Sequence, residues 1–168
     1  MKFVLLAAGK SKRLYKKIKK NKCLLKLGDK SIIENTILAV RKTKIEDISI
    51  VVGFKSEKIK LHLKKYNKIE YILNKKYNSR EMLYSLMLAL KKYNTDIIFG
   101  YSDIIISKKV LKKIIDANKS NITIPILSNW KKIWKIRNKN PYEDAETLFI
   151  KKNMKLHSIG KQISSLKD

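Results

Sequence analysis

Acidic residues are scarce in this chain of 168 residues: 14 Asp and Glu stand against 40 Lys and Arg, a formal net charge of +26. Cysteine is scarcer still, and Cys23 alone excludes an internal disulfide and a cysteine-built zinc site. Neither a Pro- or Ser-rich linker nor an internal repeat interrupts the sequence. No stretch approaches the roughly 18 consecutive apolar residues of a membrane span. The apolar start from Phe3 to Ala8 is too short and too strand-like for a signal peptide. These absences lead us to expect a cytoplasmic protein of one domain, residues 1–168, with 44% apolar residues to supply its core.

So large a positive charge invites a nucleic-acid reading, because Lys and Arg neutralise phosphates. Arginine, whose planar fork suits bases and phosphates, occurs only at Arg13, Arg41, Arg80 and Arg137. The lysines run along the whole chain among many Ile and Asn, as an AT-rich coding sequence produces, instead of gathering into one arm. The expectation is no specific nucleic-acid partner, only a weak attraction to RNA or anionic surfaces.

Apolar periodicity gives the order of elements. Lys2 to Ala7 reads as a buried strand that enters a tight loop at Ala8-Gly9. Ile33, Ile37 and Val40 share a helix face behind a capping box of Ser31 and Glu34. Asp47 to Val52 is a second strand stopped at Gly53, and a helix from Ser56 to Tyr66 follows with Ile59, Leu63 and Tyr66 on its stripe. A strand at Ile69 to Leu73 precedes a helix with its start marked by Asn78 and Glu81 and its core face at Leu83, Leu86, Met87 and Leu90. Asp96 to Gly100 is a strand, and Lys108 to Asn118 is a helix carrying Val110, Leu111, Ile114 and Ile115. Ile122 to Leu127 reads as a further strand, and Thr147 to Ile150 with Lys155 to Ser158 as a hairpin. Such a βαβ series packs as an α/β, mostly parallel sheet with helices on both faces, its ligand at the carboxyl ends of the strands.

The first loop, Leu6-Ala7-Ala8-Gly9-Lys10-Ser11-Lys12-Arg13, combines small residues that let backbone N–H groups approach a phosphate with cationic side chains. A basic strand-to-helix turn accounts for it equally. It is no Walker A loop, since Val4 stands where that motif needs glycine. Asp103 follows the strand Asp96 to Gly100, where a doubly wound sheet places its ligand, and a carboxylate there can hold Mg²⁺ or merely form a turn. His62 and His157 have no metal-pair spacing and read as structural.

Leu6-Ala7-Ala8-Gly9, then Arg13-Leu14, then Asn21-Lys22 resemble the nucleotidyltransferases that include sugar-phosphate, molybdopterin and phosphocholine enzymes. Ile33-Glu34-Asn35-Thr36, Val51-Val52-Gly53-Phe54-Lys55 and Asn78-Ser79-Arg80-Glu81-Met82-Leu83-Tyr84-Ser85 follow in the family's order and look most like its phosphocholine cytidylyltransferase branch. The resemblance implies a Rossmann-like fold of GT-A type. It also implies NTP phosphates wrapped by Leu6 to Lys10, Arg13 and Lys22 as cationic stabilisers of the reaction, Gly53, Asn78, Arg80 and Ser85 near the nucleoside, and Asp103 as the magnesium-binding aspartate. Asn78 and Ser79 equally suit a helix cap. Asn21 stands where the pattern has proline, which loosens the backbone before Lys22 and keeps its charge.

Trp130, Trp134 and Arg137 ahead of Asp144-Ala145-Glu146 also resemble that branch, which places Trp130, Arg137, Asp144 and Glu146 on the acceptor side. Tryptophan faces attract a quaternary ammonium, and the same pair at i,i+4 suits an ordinary buried helix face. Related chains generally continue past Gly160, adding strands and a second metal carboxylate. This chain is therefore expected to use Asp144 or Glu146, another subunit or a complementing chain, or to bind nucleotide with little turnover. The functional expectation is Mg²⁺-dependent transfer of CMP from CTP to phosphocholine or a similar small phosphorylated acceptor. The alternatives are a sugar-1-phosphate nucleotidyltransferase using another NTP, and a non-catalytic nucleotide-binding module.

Overall fold

In the computed structural model, which describes residues 1–79, 82–117, 120–142, 145–153 and 155–163 save the side chains of Arg13 and Gln162, the chain divides into two compact units, Met1–Thr123 and Ile124–Asp168. The first is built on strand β1, Lys2–Ala7. After it come helix α1, Lys12–Ile18, a 3₁₀ turn at Lys22–Leu24, short strands β2, Lys26–Leu27, and β3, Lys30–Ser31, and helix α2, Ile32–Arg41. Strand β4, Ile48–Val52, helix α3, Ser56–Leu63, strand β5, Ile69–Leu73, helix α4, Met82–Lys92, strand β6, Ile97–Tyr101, and helix α5, Lys108–Asp116, complete the series.

Four of these strands form one parallel sheet in the order β5-β4-β1-β6. Its near-continuous apolar strands follow from burial on both faces. Phe3, Leu5 and Ala7 of β1 pack with Ile33, Ile37 and Val40 of α2, Ile59 and Leu63 of α3 and Leu111 of α5. The alternate residues Val4 and Leu6, with Ala8 just beyond, pack with Val51, Ile72 and Ala89 and against Leu86 of α4. Helices therefore cover both faces, and each fully buried Leu, Ile, Val or Phe contributes about 1.5–3 kcal/mol. The chain steps from β1 outward to β4 and β5, then crosses through α4 to lay β6 on the other side of β1. This reversal opens a crevice beyond the carboxyl ends of β1 and β6.

The capping box forms as expected: Ser31 N donates to Glu34 Oε2 at 2.8 Å, and Glu34 N donates to Ser31 Oγ at 3.4 Å. Glu34 is 3% exposed, and its oxygens also meet Tyr66 Oη at 2.9 Å, His62 Nε2 at 3.0 Å and Lys65 Nζ at 2.7 Å. The cap thereby ties α2 to the end of α3. His62 is structural, as its isolation in the sequence implies.

Several elements differ from their sequence reading. Helix α3 stops at Leu63, and Tyr66 reaches the core from the turn beyond it. The buried positions of α4 are Ser85 and Ala89, with Leu86 packed beside them, while Leu83, Met87 and Leu90 are exposed. Small residues let this helix lie close to the sheet, and the bulkier apolar stripe turns outward. Val110 of α5 is likewise exposed. Ile122 to Leu127 is not a strand: a strand needs a backbone ladder, and this stretch pairs with none of the described residues. The β2–β3 hairpin, unforeseen from sequence, turns at Gly28, whose φ of 66° favours glycine.

The second unit holds helix α6, Trp130–Arg137, and the expected antiparallel hairpin of β7, Glu146–Ile150, with β8, Leu156–Gln162. Trp130 and Trp134 are only half-buried, so α6 presents no fully buried face. Among the described residues no helix is long and apolar enough to cross a membrane.

Candidate active site

A cleft of about 350 Å³ lies at the carboxyl ends of the parallel strands of the first unit. The end of β1 supplies Leu6, Ala7, Ala8 and Gly9, followed by Ser11; the segment before β2 supplies Asn21, Lys22 and Cys23. Asn74 and Tyr77 come from beyond β5, Met82 and Ser85 from α4, and Tyr101, Ser102 and Asp103 from the end of β6. A Cβ added to Gly9 would meet nothing within 4 Å. This glycine thus keeps the space before the loop open instead of relieving a local clash.

Lys22 and Asp103, 81 residues apart, meet at the cleft, with Nζ donating to Oδ2 at 2.8 Å. Asp103 is held by its neighbours on both sides. Ser102 N donates to Leu6 O at 3.3 Å, and the fully buried Thr36 hydroxyl donates to Ile104 O at 2.9 Å. Cys23 is buried beside them; burial pushes its thiol up to about 11, against a hydrogen bond with Ser102 that lowers it. It stays protonated at neutral pH and is no nucleophile.

Sequence reasoning passed over Asn74, which is 1% exposed. Its Oδ1 accepts Lys76 N at 2.8 Å and its Nδ2 donates to Ser85 Oγ at 2.9 Å. These bonds fix which way the amide points and, among the described residues, leave one Nδ2 hydrogen and the Ser85 hydroxyl hydrogen to donate elsewhere. The available signal was a polar residue closing the apolar run Ile72-Leu73 at the carboxyl end of a strand.

Other sequence candidates are placed differently. The Lys10 ammonium lies 5.9 Å and 6.0 Å from the ring centroids of Phe54 and Tyr77 and does not line the cleft. Gly53 also lies outside the lining. A Cβ there would stand 2.7 Å from Tyr77 Cβ and 2.9 Å from Ala8 O, so this glycine permits a close approach that seats Tyr77. Asn78 is exposed and outside the lining. Arg80, Asp144 and the Arg13 side chain lie outside the described residues.

In the second unit, Trp130 meets Tyr142 edge-on at 6.0 Å, and Arg137 lies 4.9 Å from the Trp134 ring centroid. Glu146 is exposed at the start of β7.

Among the described residues no group of three or more His, Cys, Asp or Glu could hold a metal ion. Asp103 is the carboxylate in the cleft lining. That suits Mg²⁺, which keeps waters and takes phosphate oxygens of a nucleotide as ligands, and suits poorly a metal that needs an all-protein cage.

The MobA-like NTP transferase domain profile matches residues 3–148. The chain is 33% identical over 155 residues to the CTP:phosphoglutamine cytidylyltransferase of Campylobacter jejuni, an alignment covering 88% of this chain and 61% of that protein. Among solved structures, the CTP:phosphocholine cytidylyltransferase of Streptococcus pneumoniae superposes with a TM-score of 0.53 at 28% identity, over 61% of this chain and 44% of that one. The inositol-1-phosphate CTP transferase of T. maritima superposes with a TM-score of 0.69 over 98% of this chain and 65% of that one, at 17% identity, a likeness of fold.

Proposed function

The chain belongs to the MobA-like NTP transferase family, and on that footing we propose that it moves CMP from CTP onto a small phosphorylated acceptor and releases pyrophosphate. The observation that carries this reading is the meeting of Lys22 and Asp103 at the crevice beside the loop Ala8 to Ser11. A cation and a carboxylate beside a loop whose backbone N–H groups can approach a phosphate suit nucleotidyl transfer. An anionic phosphate oxygen of the acceptor attacks the α-phosphorus, the bond from that phosphorus to the bridging oxygen of the β-phosphate breaks, and pyrophosphate leaves with the electron pair. No general base is needed, because the nucleophile is already an anion.

Backbone N–H groups of the loop after β1 hold the phosphates, and Lys22 stabilises charge growing on the α-phosphate. When bound at Asp103, Mg²⁺ neutralises the triphosphate and orients the leaving group. Choice of CTP rests on two supports. One is that two of the relatives described above, at 33% and 28% identity, are CTP enzymes by name. The other is the Asn74–Ser85 pair, whose leftover groups are hydrogen donors. The cytosine edge offers two acceptors, O2 and N3, where uracil offers an N3–H donor between two acceptors.

The acceptor is a small phosphate ester or amide of the kind those relatives use, phosphocholine among them. Incubation with CTP, Mg²⁺ and phosphocholine, phosphoglutamine or inositol-1-phosphate, followed by ³¹P NMR, tests the proposal. A new diphosphate diester signal with one acceptor is expected. Bound CTP with no diester from any acceptor would favour a nucleotide-binding module, and product from UTP or another NTP instead would favour the sugar-phosphate alternative.

A further inference from the structure

Asn21 precedes Lys22 and takes φ −65° and ψ 135°, the φ that a proline ring imposes. No ring enforces it here. The residue enters a 3₁₀ turn in which Leu24 N donates to Asn21 O at 3.0 Å and Leu25 N to Lys22 O at 3.1 Å. The side chain supplies a restraint of another kind: Nδ2 donates to Phe54 O at 3.1 Å, in the loop after β4. Phe54 N donates in turn to Ala8 O at 3.0 Å. The Lys22 turn, the Phe54 loop and the phosphate loop after β1 are thus joined in series.

Asn21 is 3% exposed, and its Oδ1 is buried and accepts no hydrogen bond among the described residues. The half of the amide that is satisfied is the half that fastens Lys22.

We propose that Asn21 is a positioning residue for Lys22, its amide tether to Phe54 doing the work of a ring and coupling the lysine to the loop that carries the nucleotide phosphates. This rests on the role given to Lys22 above. It replaces the sequence expectation of a loosened backbone before Lys22.

The test compares Asn21→Ala and Asn21→Pro with the parent chain. One readout is kcat and KM for transfer; another is the rate at which an amine-acylating reagent modifies Lys22, followed by peptide mass spectrometry with Lys44 as an exposed reference. Asn21→Ala is expected to stay folded with a lowered melting temperature, lose about tenfold or more in kcat with little change in KM for CTP, and expose Lys22 to faster acylation. Asn21→Pro, which restores the backbone restraint by other means, should recover both readouts. Parent-like kcat and acylation in Asn21→Ala would overturn the proposal, and so would an Asn21→Pro chain that is folded yet shares the alanine defect. If the parent transfers no nucleotide, the proposed function fails, and the acylation rates alone decide the role of Asn21.

Discussion

Lys22 Nζ lies 2.8 Å from Asp103 Oδ2, with the two side chains 44% and 35% exposed. A half-exposed ion pair of this kind contributes about 0–1 kcal/mol. Its exchange for contacts with a triphosphate, as proposed for this site, would therefore cost little. Lys22→Ala and Asp103→Asn should therefore leave the melting temperature close to the parent's while turnover falls about 100-fold or more. Thermal denaturation beside steady-state rates checks this, and a large drop in melting temperature would reassign the pair to stability.

Asn74→Ala removes one donor from the cleft and leaves Ser85 without its buried partner. CTP binding should weaken by about 1–3 kcal/mol, and discrimination between CTP and UTP should shrink. Titration calorimetry with both nucleotides gives the answer. Equal loss for the two would mean that Asn74 supports the wall without reading the base.

Gly53→Ala would press a methyl against Tyr77 Cβ and Ala8 O at 2.7 and 2.9 Å. Backbone on one side and a Cβ on the other cannot swing away. We expect a loss of about 1–3 kcal/mol of stability, with KM for the nucleotide raised as Tyr77 shifts. Denaturant titration and initial rates measure the two effects, and a parent-like variant would show that the loops yield more than the packing suggests.

Much of this arrangement is legible in sequence. β1 shows as an unbroken apolar run because both faces are covered, α2 is announced by Ser31 and Glu34, and Asp103 stands out because it follows the carboxyl end of a strand. Positions that depend on tertiary partners are not legible. Leu83, Met87 and Leu90 carry helical periodicity, yet packing selects Ser85 and Ala89 because they are small. The stretch Ile122 to Leu127 has strand composition, but composition cannot supply a ladder partner. Lys10 looks like a phosphate ligand from its place in the chain, whereas its ammonium sits by Phe54 and Tyr77, a relationship set by loops over 40 residues away.

Glu34 links stability to pH. Burial works to raise its pKa, but hydrogen bonds from Lys65, from the Ser31 backbone and hydroxyl and from Tyr66 outweigh it and hold the carboxyl well below the usual range. A depressed folded-state pKa gives stability that is complete above the unfolded value of about 4.3 and is lost as pH falls below it. Melting temperature should therefore drop as pH is lowered from about 5. Glu34→Gln should flatten that slope and lose about 1–3 kcal/mol at pH 7. An unchanged slope in the variant would place the acid sensitivity elsewhere.

The central claim, nucleotidyl transfer at the crevice between β1 and β6, is tested most directly by pyrophosphate release from each of the four NTPs with Mg²⁺, with and without phosphorylated acceptors. The account predicts acceptor-dependent release from CTP that is abolished by Asp103→Asn. Absence of release from every NTP by folded protein, or release unaffected by Asp103→Asn, would contradict it.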